Sequence, residues 1–157
     1  EQECKLYSKL YDLDTVSLRY FNIFSEDQEY GGAYSTVVCA WMEMIRKGQP
    51  LRINGDGSQS RDFIHVDDVV DANLFCMDRK DAFNGDYYDV GTGTAISLNE
   101  IKEIVKKYNQ VDFYHAPNRD GDVKITKANT NKLKNVGWCA KIDSKSSILN
   151  CFRGGNK

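Results

Sequence analysis

Tyr87-Tyr88-Asp89-Val90, then Gly91-Thr92-Gly93, then Ser97 with Glu100 three positions on, spell a strand, a tight turn and a capping box in direct succession. The capped stretch Leu98 to Tyr108 is amphipathic, and a β-run that turns straight into such a helix belongs to an α/β protein. The rest of the chain alternates in the same way. Residues 1 to about 12 repeat Cys4, Leu6, Tyr7, Leu10 and Tyr11 at helical spacing, and Asp12 and Asp14 end that pattern. Val16 to Phe21 reads as a strand entering a covered sheet, closed by Asn22. Ser35 to Lys47 reads as a helix that stops at Gly48 before Pro50. Leu51-Arg52-Ile53 and Asp62 to Val66 read as short strands around the turn chemistry of Asn54-Gly55-Asp56-Gly57. Asp67 or Asp68 is placed to cap the next helix, in which Val66, Val69, Val70, Leu74 and Met77 recur at threes and fours. Val111 to Tyr114 is a further strand, and Asn129 to Asn135 and Ser144 to Phe152 are short helices.

The 157 residues suit one domain, 1–157, able to bury about two thirds of its unfolded surface. With 41% hydrophobic and 28% charged residues, disorder is excluded. A net charge of −2 gives no reason to approach nucleic acid or an anionic membrane. There is no apolar run long enough to span a bilayer, and Glu1-Gln2-Glu3-Cys4-Lys5 resembles no signal peptide, so the expected location is the cytoplasm. Cys4, Cys39, Cys76, Cys139 and Cys151 are odd in number and never spaced Cys-x-x-Cys, which favours reduced, mostly buried thiols over a metal site. No metal site is expected.

Gly91-x-Gly93 between a strand and a helix invites a dinucleotide-binding reading, with Asp112 about twenty residues further on as the ribose partner. Ile96 stands at the third glycine position, where a β-branched side chain would block close helix-strand packing. The motif reads better as a turn.

Three separated segments carry a resemblance. Leu18-Arg19-Tyr20-Phe21-Asn22-Ile23-Phe24, then Gly55-Asp56-Gly57-x-x-x-Arg61-Asp62-Phe63-Ile64-His65-Val66-Asp67-Asp68-Val69, then Arg119-x-Gly121-Asp122-Val123, in this order, resemble the extended short-chain dehydrogenase/reductases. More narrowly they are similar to NAD-dependent nucleotide-sugar epimerases and dehydratases, over nearly the whole chain. The resemblance is to the C-terminal, substrate-binding half of the α/β fold only. It implies that the N-terminal Rossmann half, with its glycine fingerprint, lies outside these residues, and that residues 1–24 complete the edge of that half. Counting back from Arg19, Glu1 falls just after the family's catalytic lysine, so no residue here is expected to be catalytic.

The resemblance also assigns roles. Tyr20 and Phe21 match the segment beside the nicotinamide of NAD. Asn22 matches an asparagine whose amide contacts the sugar diphosphate, with a strand-ending cap as its plainer role. Arg61 and Arg119 match two arginines that bracket the diphosphate, a task suited to a permanently charged fork. Asp122 matches an acid that accepts hydrogen bonds from the ribose. Leu51 to Asn54, including Arg52 and Asn54, matches the strand whose backbone reads the base. Ala33 and Tyr34, in a loop similar to that of UDP-hexose and UDP-N-acetylhexosamine 4-epimerases, could line the sugar pocket, which weights a UDP-sugar as partner. Ser25-Glu26-Asp27 departs from the family's turn and brings two carboxylates towards a site meant for anions. His65 and Asp67 are expected to be structural. The competing reading is a non-catalytic nucleotide-sugar-binding or interaction domain. Apolar surface turned towards the absent half is expected to drive homo-oligomer formation or self-association.

Overall fold

The computed structural model describes residues 1–31 and 35–153. In chain order these form α1 (Gln2–Tyr11), β1 (Val16–Tyr20), β2 (Asn22–Phe24), α2 (Val37–Arg46), β3 (Leu51–Asn54), β4 (Ser60–His65) and α3 (Val66–Asp78). There follow β5 (Asp86–Val90), β6 (Ala95–Ser97), α4 (Leu98–Lys106), β7 (Phe113–Ala116), β8 (Ile125–Thr126), α5 (Asn131–Asn135) and α6 (Ser144–Arg153). The expected α/β alternation is present.

β4 is the central strand. Its second half runs parallel to β2, with Asn22 opposite Phe63 and Phe24 opposite His65. Its first half lies between antiparallel β6 and parallel β8, so that Arg61 is flanked by Ile96 and Thr126. β1 pairs in parallel with β5, and β3 with β7 rather than with its sequence neighbour β4. Val38, Trp41, Leu51, Ile53, Phe63, Ile101 and Ile148 form the core beneath α2, α4 and α6. A second core gathers Ile64, Val69, Tyr88, Val90, Leu133 and Trp138 beside α3.

Several expectations are corrected. The chain does not end a strand at Asn22: it leaves the β1–β5 ladder after Phe21, whose N–H still bonds Val90 O, and Asn22 opens β2 in another sheet. A run of β-favouring residues shows where strand is, but not where it changes partner. The cap of α3 is His65, whose Nδ1 accepts from Asp67 N at 3.2 Å. Asp68 is instead turned inward, where its two oxygens accept from Lys141 N and Ile142 N. α2 begins at Val37 behind a Thr36 cap, two residues later than the pattern suggested. The strand expected at 111–114 is displaced to Phe113–Ala116 by its register with β3.

Two helices carry apolar residues that the described chain leaves uncovered. α1 buries nothing, and Leu6, Tyr7, Leu10 and Tyr11 are all exposed. On α3, Val69 and Ala72 are buried while Val70, Leu74 and Met77 face outward. The five cysteines are free, with Cys39 and Cys151 buried and Cys139 exposed. Burial pushes the Cys151 thiol up to about 12, which makes it unreactive at neutral pH. Among the described residues no helix is long and apolar enough to cross a membrane, and no cluster of His, Cys, Asp and Glu could hold a metal.

Candidate functional site

A cavity of about 520 Å³, within the range of ligand pockets, opens between the start of α2, the β3–β7 pair, β4 and the loop 119–122. Its wall includes Asn22, Arg52, Asn54, Arg61, Arg119 and Asp122. Six of the expected substrate-contacting residues, scattered over the chain, are thus brought to one place. Ala33 and Tyr34 lie outside the described residues. Tyr20 and Phe21 are not on this wall: Tyr20 sits at the end of β1 and donates its hydroxyl to Asn73 Oδ1 at 2.9 Å.

β4 sets the polar floor. Strand alternation sends Asp62 inward and Arg61 to the cavity face. Arg61 donates from one terminal nitrogen to its neighbour Ser60 O at 2.8 Å and from the other to Asp122 Oδ1. That ion pair joins β4 to the 119–122 loop and holds the guanidinium in place, while Arg119 has no carboxylate partner among the described residues. Asn22 donates its amide N–H to Asp62 O at 3.1 Å, which leaves its side-chain oxygen and a second N–H uncommitted among the described residues.

Asp62 itself is wholly buried, and its carboxylate collects four donors. Oδ1 accepts from Thr92 N at 2.9 Å and Thr92 Oγ1 at 2.7 Å, and Oδ2 from Gly93 N at 2.8 Å and Ala128 N at 3.1 Å. This explains the glycine turn. A Cβ on Gly91 would stand 2.5 Å from Ala128 Cβ and 2.9 Å from Asp62 Oδ2, so the turn is glycine to admit protein. It therefore offers no cradle for a dinucleotide. The Gly91–Gly93 turn, filled by Asp62 and Ala128, does not fit an NAD pyrophosphate. Gly55, at φ 65°, lies in the left-handed region that favours glycine, with the Asn118 side chain lying over it.

The β3–β7 end has its own chemistry. Leu51 and Ile53 point into the core, and Arg52 and Asn54 take the opposite face. Arg52 Nε donates to Asn54 Oδ1 at 2.9 Å. Tyr114, the register partner of Arg52, lines the same cavity. Trp41 Nε1 donates to Arg52 O at 3.1 Å and Gln59 Nε2 to Asn54 O at 2.8 Å. Gln59, Tyr114, Tyr30 and Trp41 are cavity residues that sequence reasoning missed. Tyr114 had one usable signal, since it is an outward position of a strand.

The two carboxylates expected to spoil an anion site do not reach it. Glu26 Oε2 pairs with His65 Nε2 at 2.9 Å and lines a separate cavity of about 160 Å³ with Arg46 and Cys151. Burial opposes the Glu26 charge, but the His65 bond and a backbone N–H outweigh it and hold the carboxyl below its ordinary range.

The sequence profile described as "NAD dependent epimerase/dehydratase family" matches residues 1–91. A putative UDP-glucose 4-epimerase of Methanocaldococcus jannaschii is 33% identical over all of this chain and 52% of its own length. The CDP-abequose synthase of Salmonella muenchen is 30% identical over 90% of this chain and 50% of its own length. Among solved structures, the UDP-N-acetylglucosamine 4-epimerase of Methanobrevibacter ruminantium M1 in complex with UDP-N-acetylmuramic acid superposes with a TM-score of 0.86. That match is 28% identical and covers 98% of this chain and 49% of that one. The chain spans about half the length of the curated relatives it matches.

Proposed function

We propose a function on one premise: the chain belongs to the NAD dependent epimerase/dehydratase family. It binds the nucleoside diphosphate part of a nucleotide-sugar, of the UDP-sugar kind, and forms the substrate-binding half of an NAD-dependent epimerase or dehydratase. The observation that carries this reading is the convergence of Asn22, Arg61, Arg119 and Asp122, from β2, β4 and the 119–122 loop, on one cavity. Arg119 is uncommitted and Arg61 is pre-positioned, as two arginines gripping a diphosphate should be. Asp122 then has two partners to satisfy, Arg61 and a ribose hydroxyl, and a carboxylate has lone pairs for both. Residues 1–24 complete the edge of the Rossmann half, whose apolar partners would cover Leu6, Tyr7, Leu10 and Tyr11. The nicotinamide of NAD lies beside Tyr20 and Phe21 in this reading, with the rest of the cofactor bound outside these residues. Because no Tyr-x-x-x-Lys pair occurs in the sequence, these residues bind and orient substrate and leave the proton and hydride transfers to the other half.

The test is titration calorimetry with UDP, a UDP-sugar and NAD. UDP and the UDP-sugar should bind, and NAD should not. Arg119→Ala should weaken UDP about tenfold to a hundredfold, the worth of a lost hydrogen bond from a charged group. The proposal fails if UDP does not bind, or if neither Arg119→Ala nor Arg61→Ala changes its affinity.

A further inference from the structure

The segment 25–31, between β2 and α2, puts Tyr30 on the cavity wall, where its ring is exposed and makes no hydrogen bond among the described residues. The place of Tyr30 therefore depends on what holds the backbone around it. The ties towards α2 are long. Thr36 Oγ1 reaches Gln28 Oε1 at 3.4 Å, the Cys39 thiol, a poor donor, reaches Gln28 O at 3.5 Å, and Gly31 N donates to Ser35 Oγ at 3.3 Å. The tie towards the central sheet is short and charge-assisted: Glu26 Oε2 accepts from His65 Nε2 at 2.9 Å. Among the described residues it is the only hydrogen bond from this segment to β4.

His65 is a fixed anchor. It is 7% exposed, its ring stands edge-on to Phe24 with 5.5 Å between centroids, and Nδ1 accepts from Asp67 N, which leaves the ring proton on Nε2 and aimed at Glu26. His65 also ends the strand that carries Arg61, so the anchor and the arginine on the cavity face belong to one element. Glu26 thus ties a wall of the cavity to its floor, and it does so four residues before Tyr30.

We propose that Glu26 is a positioning residue for the site: by bonding His65 it holds the 25–31 segment so that Tyr30 covers the bound ligand. The inference rests on the reading of this cavity as a nucleoside diphosphate site. It reverses the sign expected from charge. A carboxylate near an anion site should by electrostatics alone weaken binding, so its removal should tighten it. If Glu26 instead keeps Tyr30 in place, its removal leaves a loose segment that must be ordered when the ligand binds, and affinity falls.

The experiment is titration calorimetry of UDP on the chain and on Glu26→Ala, Glu26→Gln, Asp27→Ala, Tyr30→Ala and the double variant Glu26→Ala/Tyr30→Ala, with folding checked by circular dichroism and the urea midpoint. Glu26→Ala should weaken UDP about threefold to tenfold, the factor that corresponds to ordering one loose side chain on binding. Glu26→Gln removes the charge but keeps an oxygen that accepts from His65 Nε2, and it should bind like the unaltered chain. Asp27→Ala removes the neighbouring carboxylate, which bonds nothing among the described residues, and should not weaken UDP. Tyr30→Ala should cost at least as much as Glu26→Ala, and adding Glu26→Ala to it should cost little more, since the first residue acts through the second. A lower urea midpoint for Glu26→Ala with unchanged affinity would make Glu26 merely structural, and tighter binding by both Glu26 variants would make it merely a charge. Either result, or a Tyr30→Ala variant that binds UDP as well as the unaltered chain, overturns this inference and leaves the diphosphate site standing. Failure of the chain to bind UDP at all overturns both.

Discussion

Replacing Asp62 by Asn changes one atom and should cost a substantial part of the stability of the chain. The carboxylate is wholly buried and accepts from Thr92 N, Thr92 Oγ1, Gly93 N and Ala128 N. An amide has one oxygen and one NH2. If its oxygen keeps the two Thr92 bonds, its NH2 faces the Gly93 and Ala128 N–H groups, and both backbone donors lose their acceptor. Each orphaned buried group costs about 1–3 kcal/mol, so this orientation would cost about 2–6 kcal/mol. The opposite amide flip is milder but still costly: its NH2 can donate to Thr92 Oγ1 and it strands only the Thr92 N–H, so Asp62→Asn should destabilise by about 1–3 kcal/mol. Set against a typical total of about 5–15 kcal/mol, this is a substantial loss. With a urea m-value of about 2 kcal/mol/M, the midpoint should fall by about 0.5–1.5 M. Urea unfolding followed by Trp41 and Trp138 fluorescence measures it. Thr92→Val, which removes only the hydroxyl bond, should cost about 1 kcal/mol. A loss below about 1 kcal/mol for Asp62→Asn would refute the reasoning, since the four donors would then not depend on the charge.

Gly91→Ala should destabilise comparably, because its methyl meets Ala128 Cβ and the Asp62 carboxylate, whereas Gly31→Ala, with nothing near its Cβ among the described residues, should leave the urea midpoint within experimental error. Glu100 is held down to about 2, first by its hydrogen bond from Lys145 and then by the Ser97 backbone, against an ordinary value of 4.5. A folded value below the unfolded one gives stability that is present above about 4.5 and lost as pH falls from there towards 2. Because Glu100 is largely exposed, about 1 kcal/mol is expected, and a wild-type melting temperature that fell no faster than that of Glu100→Gln over this window would contradict it. Leu6→Lys with Leu10→Lys on α1 should reduce self-association in sedimentation velocity without lowering the melting temperature, as neither residue is buried.

Most of the elements are legible in the sequence because their signals are local. The capping box is present as read, with Ser97 Oγ accepting from Glu100 N and Glu100 Oε2 from Ser97 N. Arg61, Arg119 and Asp122 are legible as a set only through the order of their motifs. Nothing in their spacing says that Arg61 and Asp122 touch, since 61 residues separate them. Asp67 and Asp68 mislead in a specific way. Both have the right chemistry for a cap, yet Asp68 is drawn inward by two N–H groups of the 141–142 segment, over seventy residues away, and His65 takes the cap. The carboxylate Glu26 looks hostile to an anion site until His65, from β4, is seen to hold it elsewhere.

The division follows the range of the forces. Helix periodicity, strand alternation, capping and turn preference act over a few residues, so the sequence by itself determined the α/β alternation and the glycine turn, while the candidate arginines came from the resemblance that the order of their motifs carries. Which strand pairs with which, where the chain passes from β1 to β2, and which donor finds which acceptor are decided by contacts between residues far apart in sequence. Only the tertiary structure shows Gly91 making room for Asp62, Asp122 steadying Arg61, and Asn54 bonding Arg52 on the cavity wall. In each case the physical reason is the same: a buried or crowded polar group must find its partner in space, and sequence proximity does not name that partner.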